Sequence, residues 1–276
     1  MPIRCSYGLR THSPWGETRL QLRRMFAVAL FLAACWAGPA FARPAVEDAP
    51  LKDWAVGILA ADWRDSEGAP IDAFENARRD LARGFAEVGF SADNITHMSL
   101  RPRELGGFSL RSEEVFSAFE TLAAKAQAGC LFYFTSHGVP EGMVLGTEGL
   151  ISPQKLNGLI HQWCGERPTV VVVSACFSGV FVPELAAPNR MVMTAARQDR
   201  SSFGCGAGMI YPVFDQCVLD SLPGADDFVH LSNMTRRCVA MQERQQRLWP
   251  PSEPQSDVGD DVEDLFVFLD FERETP

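Results

Sequence analysis

Two rhythms of apolar positions alternate along this chain. Residues 71–88 place Phe74, Ala77, Leu81, Phe85 and Val88 on one face, with Arg78, Arg79 and Asp80 off it, the spacing of an amphipathic helix. Residues 130–135 and 169–174 are instead unbroken apolar, β-branched and aromatic runs, as in strands buried on both faces of a parallel sheet. The same contrast predicts strands at 54–61, 95–100 and 191–195, and helices at 113–128, 151–165, 211–222 and 226–248. Ser152-Pro153 supplies a cap and a first-turn proline for the helix carrying Leu156, Leu159, Ile160 and Trp163. Gly106-Gly107 marks a loop, and Pro250, Pro251 and Pro254 break the last long helix. Beyond them Leu265, Val267, Leu269 and Phe271 alternate, which predicts an edge strand or a flap. Strands alternating with helices define an α/β fold with a mostly parallel sheet and helices on both faces.

Two of these strands stop at reactive side chains. One runs into Ser136-His137-Gly138 and the other into Ala175-Cys176-Phe177-Ser178-Gly179. The helix between them makes a strand-helix-strand unit, whose right-handed crossover brings the second strand back parallel to the first. His137 and Cys176 then share the carboxyl edge of the sheet, where open α/β sheets place their chemistry. An imidazole beside a thiol raises the thiolate fraction that attacks a carbonyl. A single cysteine or histidine after a strand is more often structural; the paired placement beside glycines points to catalysis.

These motifs resemble the legumain-type cysteine peptidases, relatives of caspases and gingipains on the caspase-like fold, and bacterial members most of all. The segment Leu59-Ala60-Ala61-Asp62-Trp63-Arg64 with the helix from Phe74 to Asp80 resembles the family's first strand, loop and helix. Residues 191–205, reading MVMTAARQDRSSFGC, resemble one wall of its specificity pocket. The resemblance covers most of residues 51–222 and implies a three-layer sandwich with strand order 2-1-3-4-5. It implies Cys176 as nucleophile, His137 as general base and acid, and the backbone N–H groups of Gly138 and Cys176 as oxyanion donors. Asp62 falls where the family has an asparagine that orients the histidine, and Arg64, Ser202 and Asp215 match pocket positions. Phe177 departs from the pattern: asparagine-cleaving members carry an acidic residue there, and a phenyl ring offers no acceptor oxygens. That argues against asparagine specificity.

At the N-terminus, Arg23-Arg24, an apolar run from Met25 to Trp36 and then Ala40-Phe41-Ala42 read as a secretory signal over residues 1–42, with a linker at 43–50. The run is too short for an ordinary membrane-spanning helix. Leu32-Ala33-Ala34-Cys35 is a competing lipoprotein signal that would anchor the chain at Cys35, but the Ala-x-Ala site favours export to the periplasm or medium. Residues 51–249 then form the peptidase domain and 250–276 an acidic C-terminal segment. The formal charge is −10, and it becomes more negative once the five arginines and one glutamate of residues 1–42 are removed. Nucleic acid and anionic membrane surfaces are thereby poor partners, and a peptide or protein substrate is the expected one.

The remaining cysteines are Cys130, Cys164, Cys176, Cys205, Cys217 and Cys238. With Cys176 reduced, the other five allow at most two disulfides and leave one thiol. A zinc site from Cys164, Cys205, Cys217 and Cys238 lacks any close C-x-x-C pair, and the acidic run 257–264 lacks the spacing of a calcium loop. The glycines around Cys205 belong to a pocket-wall loop rather than a phosphate loop. The chemistry therefore calls for neither metal nor organic cofactor. The expected function is an exported cysteine endopeptidase; the alternatives are a transpeptidase using the same dyad and a catalytically silent binding protein on the same scaffold.

Overall fold

A computed structural model describes residues 51–271; the expected signal, Cys35 and the linker lie outside the described residues. In chain order the elements are β1 (Trp54–Ala60), α1 (Ala73–Glu87), β2 (Ile95–Ser99), α2 (Ser112–Lys125) and β3 (Gly129–Thr135). A small antiparallel sheet follows, made of β4 (Gly138–Val139), β5 (Gly142–Val144) and β6 (Leu150–Ile151). Then come α3 (Pro153–Cys164), β7 (Thr169–Ser174), α4 (Val182–Leu185), β8 (Arg190–Thr194), α5 (Val213–Ser221), α6 (Phe228–Gln246), β9 (Gln255–Val258) and α7 (Glu263–Phe268).

The main sheet runs β2-β1-β3-β7-β8-β9. Its first five strands are parallel and keep the expected order; β9 is added beyond them, antiparallel to β8. Strand alternation sorts the side chains into two cores. Trp54, Val56, Ile58, Leu131, Tyr133, Val170 and Met191 face the layer of α1, α5, α6 and α7. Ala55, Leu59, Phe132, Phe134, Val171, Val173 and Val192 face α2, α3 and α4. Aromatic residues anchor both layers, with Trp54 stacked on Phe228 at 5.8 Å and Phe132 tilted on Trp163 at 4.9 Å. Truncating such a ring to alanine costs about 3–5 kcal/mol.

Local signals explain most element ends. Ser152 accepts a hydrogen bond from Lys155 N at 3.2 Å to cap α3, and Asp227 caps α6 by accepting from His230 N at 2.7 Å. Two disulfides tie helices down: Cys130–Cys164 joins β3 to α3, and Cys217–Cys238 joins α5 to α6. The C-terminal segment differs from its expected alternation. Val262, Phe266 and Leu269, at helical spacing, are buried together with Phe271, and they place α7 against the first core. The edge strand forms earlier, from Gln255-Ser256-Asp257-Val258. Its polar composition suits a strand that pairs on one side only.

Candidate active site

Register brings the chemistry together. Ala60 pairs with Thr135, and Thr135 with Ser174, so the three strands β1, β3 and β7 end level. The ladder continues one residue further through Ala61 N to Thr135 O at 2.9 Å and Ser136 N to Ser174 O at 3.0 Å. Asp62, His137 and Cys176 are the next residues on the three adjacent chains. They stand side by side at the carboxyl edge of the sheet.

The His137 ring is held by a backbone carbonyl at one nitrogen and by an aromatic side chain from α1. Its Nε2 lies 2.7 Å from the carbonyl oxygen of Arg64. A carbonyl only accepts, so Nε2 carries a proton and the neutral ring keeps Nδ1 as its basic nitrogen. Phe74 from α1 packs edge-on to the imidazole at 5.2 Å. The strand end is clamped as well: Val144 N donates to His137 O at 2.9 Å, and Ser136 Oγ donates to Val144 O at 2.7 Å.

Asp62 does not orient His137 through its own carboxylate. That group is buried and accepts from Trp63 N at 2.7 Å, Arg64 N at 3.2 Å, Arg64 Nε at 2.9 Å and Arg64 Nη2 at 3.0 Å. Its effect on the imidazole therefore passes through Arg64, whose carbonyl receives His137. The guanidinium also donates to Gly146 O at 2.6 Å and lies 5.1 Å from the Trp63 ring. The Asp62 hydrogen bond and charge raise the Arg64 pKa further, so the arginine is a charged group already matched by one counter-ion.

Cys176 is one of two free thiols among the described residues. Ser202 N donates to Sγ at 3.3 Å, and the thiol donates to Ser202 O at 3.5 Å. Burial pushes the Cys176 pKa up, and hydrogen bonds from Ser202 and Ser201 offset part of that rise. The strand ends approach closely here. A Cβ on Gly138 would lie 2.0 Å from the Cys176 carbonyl oxygen, so only glycine fits opposite the nucleophile loop. Phe177, the residue after the thiol, adopts the left-handed region at φ 58° and donates its N–H to Arg200 O at 2.8 Å. Such a conformation in a bulky residue is held by its surroundings.

The remaining pocket expectations divide. Ser202 meets the thiol through its backbone. Asp215 is fully buried beneath the strand ends and accepts from Tyr133 Oη and Thr135 Oγ1, both at 2.5 Å. Burial pushes its pKa up to about 6 against these hydrogen bonds. It supports the floor of the site rather than presenting a charge at its surface. The second free thiol, Cys205, packs against the small cluster of Ala60, Ile71, Ala73 and Phe74; burial raises its pKa strongly, and the charges of Cys176, Asp215 and Asp62 add to the rise.

Several participants left no trace in the sequence reading. The Arg64 carbonyl is a backbone group, for which residue type carries no signal. Phe74 and Tyr133 read only as core positions of a helix and a strand. Among the described residues no cluster of His, Cys, Asp or Glu is arranged to hold a metal, and no helix is long and apolar enough to cross a membrane. Cavities of about 570 Å³ beside Trp249 and about 400 Å³ between α1 and α5 are lined by neither Cys176 nor His137.

Comparison with known proteins agrees with this geometry. Residues 74–222 match the family model described as the peptidase C13 family. Among solved structures, caspase-1 from Spodoptera frugiperda superposes with a TM-score of 0.56 at 14% identity, covering 77% of this chain and 89% of that one. The structure described as pro-sf-caspase-1 gives 0.53 at 14% identity, covering 74% and 90%. At that identity the likeness is one of fold. No curated protein matches the chain significantly.

Proposed function

Because this chain belongs to the peptidase C13 family of legumain-type cysteine peptidases, we propose that Cys176 and His137 are its catalytic dyad and that it is an exported endopeptidase. The observation that carries the reading is the 2.7 Å bond from His137 Nε2 to the Arg64 carbonyl, on strands whose level ends set His137 beside Cys176. It leaves Nδ1 as the nitrogen able to take the thiol proton.

The steps follow from those groups. A peptide carbonyl enters between the strand ends, and His137 Nδ1 removes the proton from Cys176 as Sγ bonds to the carbonyl carbon. The developing oxyanion is received by the N–H groups of Gly138 and Cys176, donors that need no reorganisation. His137 returns the proton to the departing amine, leaving a thioester. Water, deprotonated by the same nitrogen, then hydrolyses the acyl-enzyme.

Specificity follows from what the wall offers. Arg64 uses Nε and Nη2 on Asp62 and Gly146, and among the described residues its Nη1 carries no hydrogen bond. Phe177 supplies no acceptor, and Asp215 is spent on Tyr133 and Thr135. The site thus favours, on the acyl side of the bond, a side chain whose oxygen accepts from Arg64. Export is supported by the signal-like residues 23–42 and by two disulfides, which persist in oxidising compartments.

The test is a cleavage profile of residues 43–276 with reductant, against a peptide mixture varied on the acyl side, beside Cys176→Ala. Turnover confined to the wild type, with acceptor-bearing side chains preferred, supports the proposal. Ligation of added amines in place of hydrolysis makes the chain a transpeptidase, and equal inertness of both proteins makes it a silent scaffold.

A further inference from the structure

The wall that holds the nucleophile is itself anchored from far along the chain. Residues 196–202 meet the nucleophile segment at three residues: Arg200 O accepts from Phe177 N at 2.8 Å, Ser202 N donates to Cys176 Sγ at 3.3 Å and Ser202 O accepts from it at 3.5 Å, and Ala196 N donates to Ser178 Oγ at 3.1 Å. The packing there leaves no slack, since a Cβ on Gly179 would lie 2.4 Å from Gln198 N. Arg197 N in turn donates to Ser252 O at 2.8 Å, and Arg200 N to Arg197 O at 3.0 Å. Ser252 N donates to Glu243 Oε1 at 2.9 Å. Glu243 is a carboxylate on α6 with 3% exposure, and the mechanism above makes no use of it.

Strain marks two points of this relay, its middle turn and its end at the thiol. Phe177 at φ 58° and Glu253 at φ 55° are non-glycine residues in the left-handed region, and Glu253 is paired through its side chain to Arg197. Left-handed backbone in such residues persists only where neighbours enforce it. Helix α6, the 252–253 turn and the 197–202 loop therefore form one hydrogen-bonded strut that ends at the thiol.

We propose that Glu243 is a positioning residue for the nucleophile: by holding Ser252 it fixes the Arg197–Ser202 wall, and through it the Phe177 peptide and the donor to Cys176 Sγ. The inference rests on Cys176 being the nucleophile. The buried carboxylate gives the Ser252 N–H an acceptor that glutamine reproduces and alanine does not.

The experiment measures alkylation of Cys176 by iodoacetamide, located by peptide mass mapping, together with kcat and KM for peptide cleavage. It uses the wild type, Glu243→Ala, Glu243→Gln and Arg197→Ala, each checked for cooperative thermal unfolding. Glu243→Ala is expected to slow alkylation and kcat about tenfold with KM little changed, the size of one lost hydrogen bond to a charged group. Glu243→Gln recovers most of that loss, and Arg197→Ala, at the surface, shows a smaller loss in the same two quantities. Wild-type alkylation in a folded Glu243→Ala, or a glutamine variant no better than alanine, overturns the proposal. Where Glu243→Ala does not fold, wild-type alkylation and kcat in Arg197→Ala overturn it. Alkylation needs no substrate, so slowed variants of a chain that cuts no peptide would sink the peptidase reading and leave the strut standing.

Discussion

His137 and Arg64 meet through a side chain and a main chain: the imidazole Nε2 donates to the Arg64 carbonyl, while the Arg64 side chain is turned away onto Asp62. One residue thus holds the imidazole by its backbone and is itself held by Asp62 and the Gly146 carbonyl through its guanidinium. Asp62→Ala removes the carboxylate that holds both. It is expected to lower kcat about tenfold by loosening the carbonyl, a loss on the scale of one charged hydrogen bond. Arg64→Ala, which keeps the carbonyl, is expected to raise KM more than it lowers kcat. Steady-state kinetics on one peptide separate the two.

Gly138→Ala tests the close approach of the strand ends. The added methyl meets the Cys176 carbonyl oxygen, so one chain must move. The expected result is near-complete loss of turnover with destabilisation of about 1–3 kcal/mol, the usual cost of overpacking. Urea unfolding and an activity assay on the same preparation check it. A variant that cleaves at the wild-type rate would mean that the close contact has no bearing on the reaction.

The buried Asp215 gives stability a pH dependence of known sign. Its pKa in the folded chain is raised to about 6 from 3.8, so the folded state holds the proton more tightly than the unfolded one. Stability from this group is greatest below the unfolded pKa and declines as pH rises towards about 6. The whole decline is of order 3 kcal/mol. Subtracting Asp215→Asn from wild type in unfolding free energy should leave a difference that falls between pH 4 and pH 7. A flat difference would show that Asp215 titrates normally.

Each disulfide closes a loop, with sequence separations of 34 and 21 residues. Loop-closure entropy then predicts losses of about 4 and about 3 kcal/mol for Cys130→Ala/Cys164→Ala and Cys217→Ala/Cys238→Ala. Chemical denaturation of the oxidised proteins measures both. Unchanged midpoints would place the stabilisation elsewhere.

Chelation should leave turnover intact, because a thiol, an imidazole and backbone donors supply every step proposed. Cleavage assays with and without EDTA on folded protein check this, and loss that added metal restores would contradict it.

The alternation of strands and helices was legible because buried strands and one-sided helices have different periods, and the reactive residues stood at strand ends where such sheets place chemistry. In the final segment two periods overlap: Leu265, Val267, Leu269 and Phe271 alternate, yet the helix adds Val262 and Phe266 to Leu269 and Phe271 in the core. Competing apolar sets in one short stretch are settled by the surface they meet. Within the site, the side-chain role expected of Asp62 went to a carbonyl, and Asp215 lies under the floor. Backbone acceptors and depth of burial are properties of packing, and residue identity does not encode them.

The level ends of β1, β3 and β7 make the hydrogen-bond ladder a ruler for the chemistry. Side chains on a strand alternate between faces, so inserting or deleting one residue in β7 ahead of Cys176 would do more than shift the thiol along the edge. It would either turn the thiol towards the opposite layer of helices or send every valine of the strand into the wrong core. The positions of the two reactive groups and the burial of the sheet are therefore one constraint, and the spacing between them can change only in the loops.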